Sequence, residues 1–148
     1  MKKVIGILLL LAIIVSVGYT YGGFTKSYAT LSENKTIAKA LDDFILHVRV
    51  NDNEDGIEVK HSIQYTGKDN VEIKHQTPLI SVSLLNDQHD FTGSYVIKSM
   101  EGGDIYHSQE ADILSLPYEN ESDLYIKARF YVNDEMKSIE HVEELKFE

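Results

Sequence analysis

Cysteine and tryptophan are absent from this 148-residue chain, proline occurs twice, and no acidic residue precedes Glu33. The missing thiols exclude a disulfide framework, a thiolate metal centre, a cysteine nucleophile and a lipid-modified cysteine at a processing site. No G-x-S-x-G, H-E-x-x-H or glycine-rich phosphate loop occurs, so acyl transfer, zinc proteolysis and nucleotide chemistry lack an anchor. The neighbouring carboxylates Asp42–Asp43 and Glu143–Glu144 fall on opposite faces of an extended chain and read as solvated charge. These absences together describe a non-enzyme that requires no cofactor.

The ends of the chain differ in kind. Met1-Lys2-Lys3 precedes an uncharged run from Val4 to Thr25, 22 residues and long enough to cross a bilayer. Residues 1–29 are therefore expected to be a signal peptide, cut after Ser27-Tyr28-Ala29 or Ser16-Val17-Gly18, or else a retained single-pass anchor. Either outcome puts the rest of the chain outside the cell membrane, and membrane contact is expected through this segment only. Three basic residues lie before Thr30, leaving 11 against all 24 acidic ones, a net charge of −13 on the remainder. Such a domain repels nucleic acid and anionic lipid. Its surface suits solubility outside the cell or contact with cations or a basic partner. Asn34-Lys35-Thr36 and Asn120-Glu121-Ser122 fit the glycosylation pattern of a eukaryotic host.

What the chain has in quantity is alternation. In Leu124 to Val132, LYIKARFYV, the apolar groups Leu124, Ile126, Ala128, Phe130 and Val132 share one face of a strand; Tyr125, Lys127, Arg129 and Tyr131 share the other. Phe44 to Val50 and Ile57 to Tyr65 repeat the pattern, the latter with His61 inward. So does Val71-Ile73-His75. Asn51 to Gly56, Gly67 to Asn70, Glu101 to Asp104 and Asn133-Asp134 carry turn chemistry, and Pro78 interrupts the ladder. Residues 30–43 are expected to be a linker, with a short helix suggested by Ile37, Leu41 and Phe44. The tail from Met136 to Phe147 fits either a helix or a bulged edge strand; the strand is favoured because it can hairpin back onto Leu124 to Val132. With no βαβ rhythm and about seven or eight strands, residues 44–148 read as one all-β domain, an immunoglobulin-like antiparallel β-sandwich.

Three stretches, Gln64 to Ile73, Gly103 to Tyr106 and Leu124 to Phe130, resemble the strand, turn and strand plan of the intracellular proteinase inhibitor family of bacilli and its exported immunoglobulin-like relatives. The resemblance covers about the last 90 residues. It implies an immunoglobulin-like sandwich and, as an alternative function, an inhibitor or regulator of an extracellular protease. No segment matches a protease-contacting loop, and the leader departs from an intracellular protein.

Two metal readings follow from the residues. If Ile57 to Tyr65 and Val71 to His75 form a hairpin, His61 faces His75, and His89, Asp87 or Asp90 can complete a zinc or copper site; partly buried, hydrogen-bonded histidines explain the same pattern, as do strands lying in opposite sheets. Asn51 to Gly56 resembles the start of a calcium loop, but Ser62 stands where a bidentate glutamate is needed, and a hairpin turn explains the composition better. The remaining candidate surface is the outward quartet Tyr125, Lys127, Arg129 and Tyr131, since tyrosine and arginine are enriched at contacts. The sequence thus supports a binding module at the cell envelope with a protein partner, and a small metal-binding module as a further alternative. Nothing in it sets an oligomeric state.

Overall fold

The computed structural model describes residues 29–116 and 120–148; the expected leader, save Ala29, lies outside them. Ten strands form: β1 (Lys35–Leu41), β2 (Phe44–Asn53), β3 (Gly56–Tyr65), β4 (Val71–Gln76), β5 (Ile80–Ser83), β6 (Tyr95–Met100), β7 (Ile105–Tyr106), β8 (Asp112–Leu114), β9 (Glu121–Val132) and β10 (Glu135–Lys146). Every pairing is antiparallel. One sheet runs β1-β2-β3, with β7 and β8 sharing the far side of β3; the other runs β10-β9-β4-β6, with β5 on β9. No helix occurs among the described residues, and hence none long and apolar enough to cross a membrane.

Alternation builds the core. Leu46, Ile57, Val59 and Ile63 from the first sheet and Ile73, Leu124, Ala128, Phe130 and Leu145 from the second are fully buried. Phe44 bridges the two layers, its ring 4.8 Å from Phe130 edge-on and 5.1 Å from Tyr65. Asn133 and Asp134 have φ of 50° and 62°, the doubly left-handed geometry that matches a two-residue hairpin to strand twist.

Four expectations need correction. Lys35–Leu41 is a strand paired along its length with β2, not a linker helix, so the sheet begins before Phe44. Ile37 and Leu41 are four apart, a spacing that places two residues on one face in either period. The carboxylates of Asp42–Asp43 sit in the turn after it, where Asp42 has φ 51°, and not on a strand. The β10 ladder is continuous from Glu135 to Lys146, without a bulge, which turns Val142 outward and half exposed while Ile139, Leu145 and Phe147 are buried. Finally, the strands number ten among the described residues rather than seven or eight; and of the two arrangements open to β3 and β4 the unpaired one holds, the chain crossing from one sheet to the other at Thr66–Asn70.

The sheet edges share a device. Lys39 on β1 stands opposite Leu46, Lys98 on β6 opposite Ile73, Asp112 on β8 opposite Val59, and Lys137 on β10 opposite Phe130. Each of these four strands thus sets a charged side chain on its core-side parity against a buried apolar partner. Two of the pairs across the open flank, Lys137–Asp42 at 2.9 Å and Lys35–Glu143 at 3.8 Å, join β10 to the first sheet.

Candidate functional site

The six histidines are dispersed by the sheet crossing. His61 and His75 do lie on core-facing parity, but in opposite sheets, and each has its own partner. His75 is fully buried; its Nδ1 donates to the Gln76 carbonyl at 2.9 Å, so its Nε2 accepts from the Tyr106 hydroxyl at 3.1 Å. Burial raises the Tyr106 phenol above its ordinary value, which keeps it protonated and able to donate. His61 gives its Nε2 proton to Asp112 Oδ2 at 2.8 Å, and Gln109 Nε2 donates to the same oxygen at 3.3 Å. His89 lies on the opposite, outer side of the second sheet, its Nδ1 2.9 Å from Ser81 Oγ. Among the described residues no group of three or more His, Asp or Glu side chains is placed to hold a metal ion.

The His61 region has a feature that no periodicity reveals. Ile63 pairs with Tyr106 and Val59 with Asp112, so the three residues Lys60–Ser62 face the five residues His107–Ala111. The ladder fails there, and the buried polar atoms without partners among the described residues, His61 Nδ1 and Ser108 Oγ, belong to these two facing segments.

The calcium-like stretch is the end of β2 and the turn into β3, and its first three polar side chains are already engaged. Asp52 Oδ1 accepts from the Leu31 amide at 2.9 Å, Asn53 Oδ1 from Asp55 at 3.0 Å, and Asn51 Nδ2 donates to Glu58.

The outward quartet on β9 divides in two. The segment Leu84–Ser94, between β5 and β6, straps across part of this face. Arg129 is taken up by it: the guanidinium lies 4.4 Å from the centre of the Phe91 ring, and Nη2 donates to Phe91 O at 3.0 Å and Gln76 Oε1 at 3.3 Å. Phe91 is buried as a result. Lys127 is ion-paired with Glu140 of β10, which holds the glutamate below the usual carboxylate range. Tyr125 and Lys127 line a cavity of about 100 Å³ together with Asp87, His89, Ile126, Glu140, His141 and Val142. Within it, desolvation and the Lys127 charge lower the His89 imidazole from its ordinary value, outweighing Glu140 and Asp87.

Tyr131 belongs to a different surface. Register puts Met136 of β10, Tyr131 of β9, Lys74 of β4 and Ile97 of β6 in one row across four strands. Met136 is 55% exposed, Ile97 61% and the adjoining Tyr95 57%. Lys74 has no carboxylate partner among the described residues and sits 4.6 Å from the centre of the Tyr95 ring. The sequence singled out Tyr131 and missed the rest of this row, which cross-strand register alone assembles.

No family model matches the chain, and neither the curated proteins nor the solved structures yield a match.

Proposed function

We propose that this chain is an exported, non-enzymatic binding module, an immunoglobulin-like sandwich that is secreted or held by a single-pass anchor and meets a protein partner at the cell envelope through the outer face of its second sheet. The observation that carries the reading is the exposed row Met136–Tyr131–Lys74–Ile97 with Tyr95 beside it. A contiguous run of aromatic and aliphatic groups left in water is stabilised by being covered, and polar-tipped tyrosines with a lysine suit a surface that is wet part of the time. The domain charge of −13 disfavours nucleic acid as the partner.

A photo-crosslinking side chain at Ile97, compared with one at Arg49 on the outer face of the first sheet, tests this in producing cells. A defined protein captured from position 97, absent from position 49 and lost on Tyr131→Glu, is the expected result. Equal capture from both faces, or none from either, would sink the proposal.

A further inference from the structure

Strand β4 sets two charges of opposite sign side by side on the exposed face. Glu72 and Lys74 both point outward and are exposed, two residues and so about 6.7 Å apart along the strand. Neither has an ion pair among the described residues, with the other or with any further group. Lys74 stands in the apolar row between Tyr131 and Ile97, and Glu72 stands one step nearer the β9–β10 turn, opposite Ser99. With Gln76, Tyr95, Ile97 and Ser99 these two make up the outward residues of β4 and β6, which sum to zero charge in a domain of −13. Two copies of so acidic a domain repel each other over most of their surface, and this patch is a place where they do not.

We infer that this face meets the same face of a second copy of the chain, about a two-fold axis that lies in the plane of contact and crosses the strands between Lys74 and Glu72. Such a rotation exchanges the two positions, so Lys74 of each copy stands over Glu72 of the other, and the contact is made twice. The two apolar rows then run about 3.4 Å to either side of the axis, a stagger that lets Tyr131, Ile97 and Met136 of both copies interleave as side chains do between stacked sheets. An exposed ion pair adds little by itself, so the apolar row supplies the adhesion. Glu72 and Lys74 supply orientation and the choice of partner. A basic protein is drawn to the acidic remainder of the surface rather than to a neutral patch, and an acidic one meets Glu72 and is repelled. The inference rests on the protein-binding reading of this sheet face and names the protein that covers it.

The test co-expresses two copies of the full chain under different affinity tags, each with the photo-crosslinking side chain at Ile97, and reads the mass and tags of the product. A product of twice the chain mass carrying both tags is expected. Lys74→Glu in both copies sets glutamate against glutamate at both contacts, and Glu72→Lys sets lysine against lysine, so each should cut that product by at least about 5-fold. Lys74→Glu in one copy and Glu72→Lys in the other should restore it, because every contact again joins a lysine to a glutamate. Restoration also shows that both variants fold. A product indifferent to the single substitutions, or a loss that the mixed pair does not restore, would overturn the two-fold contact. Capture of a different protein from position 97, with no doubled chain, discards the second copy and keeps the sheet-face reading.

Discussion

His61 Nε2 stands 2.8 Å from Asp112 Oδ2, tying the centre of β3 to β8 at the place where their register is lost. The bond compensates for a ladder that fails between Lys60–Ser62 and His107–Ala111, and it is the only one the buried imidazole makes among the described residues.

Asp112→Ala therefore strands a buried ring with both nitrogens unpartnered. We expect a loss of about 1–3 kcal/mol, while Asp112→Asn, which keeps an acceptor, loses less. Urea denaturation monitored by tyrosine fluorescence separates the two; equal stability of Asp112→Ala and the parent chain would contradict the role given to this bond.

Zinc added to the purified chain should leave its melting temperature unchanged. His61, His75 and His89 belong to separate elements, two of them in opposite sheets, and a metal that binds only the folded form would raise the midpoint. A rise that follows zinc concentration and vanishes in His61→Phe would restore the metal reading.

Gly56 opens β3 at φ 142°, and a methyl group there would lie 2.1 Å from the Leu114 carbonyl oxygen. Gly56→Ala has to displace backbone as well as strain it, so a cost of about 1–3 kcal/mol is expected. The damage should be local: amide exchange should quicken first along Ile57–Val59 and Asp112–Leu114, the paired segments it forces apart. Uniform exchange across both sheets would show that these segments do not open by themselves.

Acid should loosen the strap over β9. The imidazole of His89 takes a proton less readily in the folded chain than its ordinary value near 6.5, chiefly because burial disfavours the charged form and Lys127 repels it. The unfolded or opened segment therefore binds the proton first. Its stabilising contribution is complete above about pH 6.5 and is lost as pH falls through that value towards the lower folded-state value. Amide exchange of residues 86–91, corrected for intrinsic rates, should report the opening, and His89→Gln should remove its pH dependence. Protection that rises on acidification would reverse the sign and refute the argument.

Much of this architecture is legible from side-chain order. The parity of Ile57 to Tyr65 and Leu124 to Val132 puts the right residues inward, His61 included, because every second group is apolar and the intervening ones are mostly polar. Parity fails where both periods fit, as with Ile37 and Leu41, and where neither face is distinct: Tyr95, Ile97 and Ser99 alternate with Val96, Lys98 and Met100, so nothing marks an inside. It is also silent about which strands are neighbours. A short loop after Tyr65 permits a hairpin or a crossing, and only the packed sheets decide between them. The fate of Arg129 depends on a strap whose path is set by Phe91 finding its ring, a tertiary event with no local signature.

The four charged residues on the sheet margins bear on how crowded copies of this protein behave. A strand arriving from a neighbour would have to bring its own side chains beside Lys39, Lys98, Asp112 or Lys137, stripping water from the two exposed lysines and crowding the pairs that Asp112 makes with His61 and Lys137 with Asp42. Lateral growth into fibres is blocked at each of these margins, so the chain can be held at high density while its broad sheet face stays free to be covered.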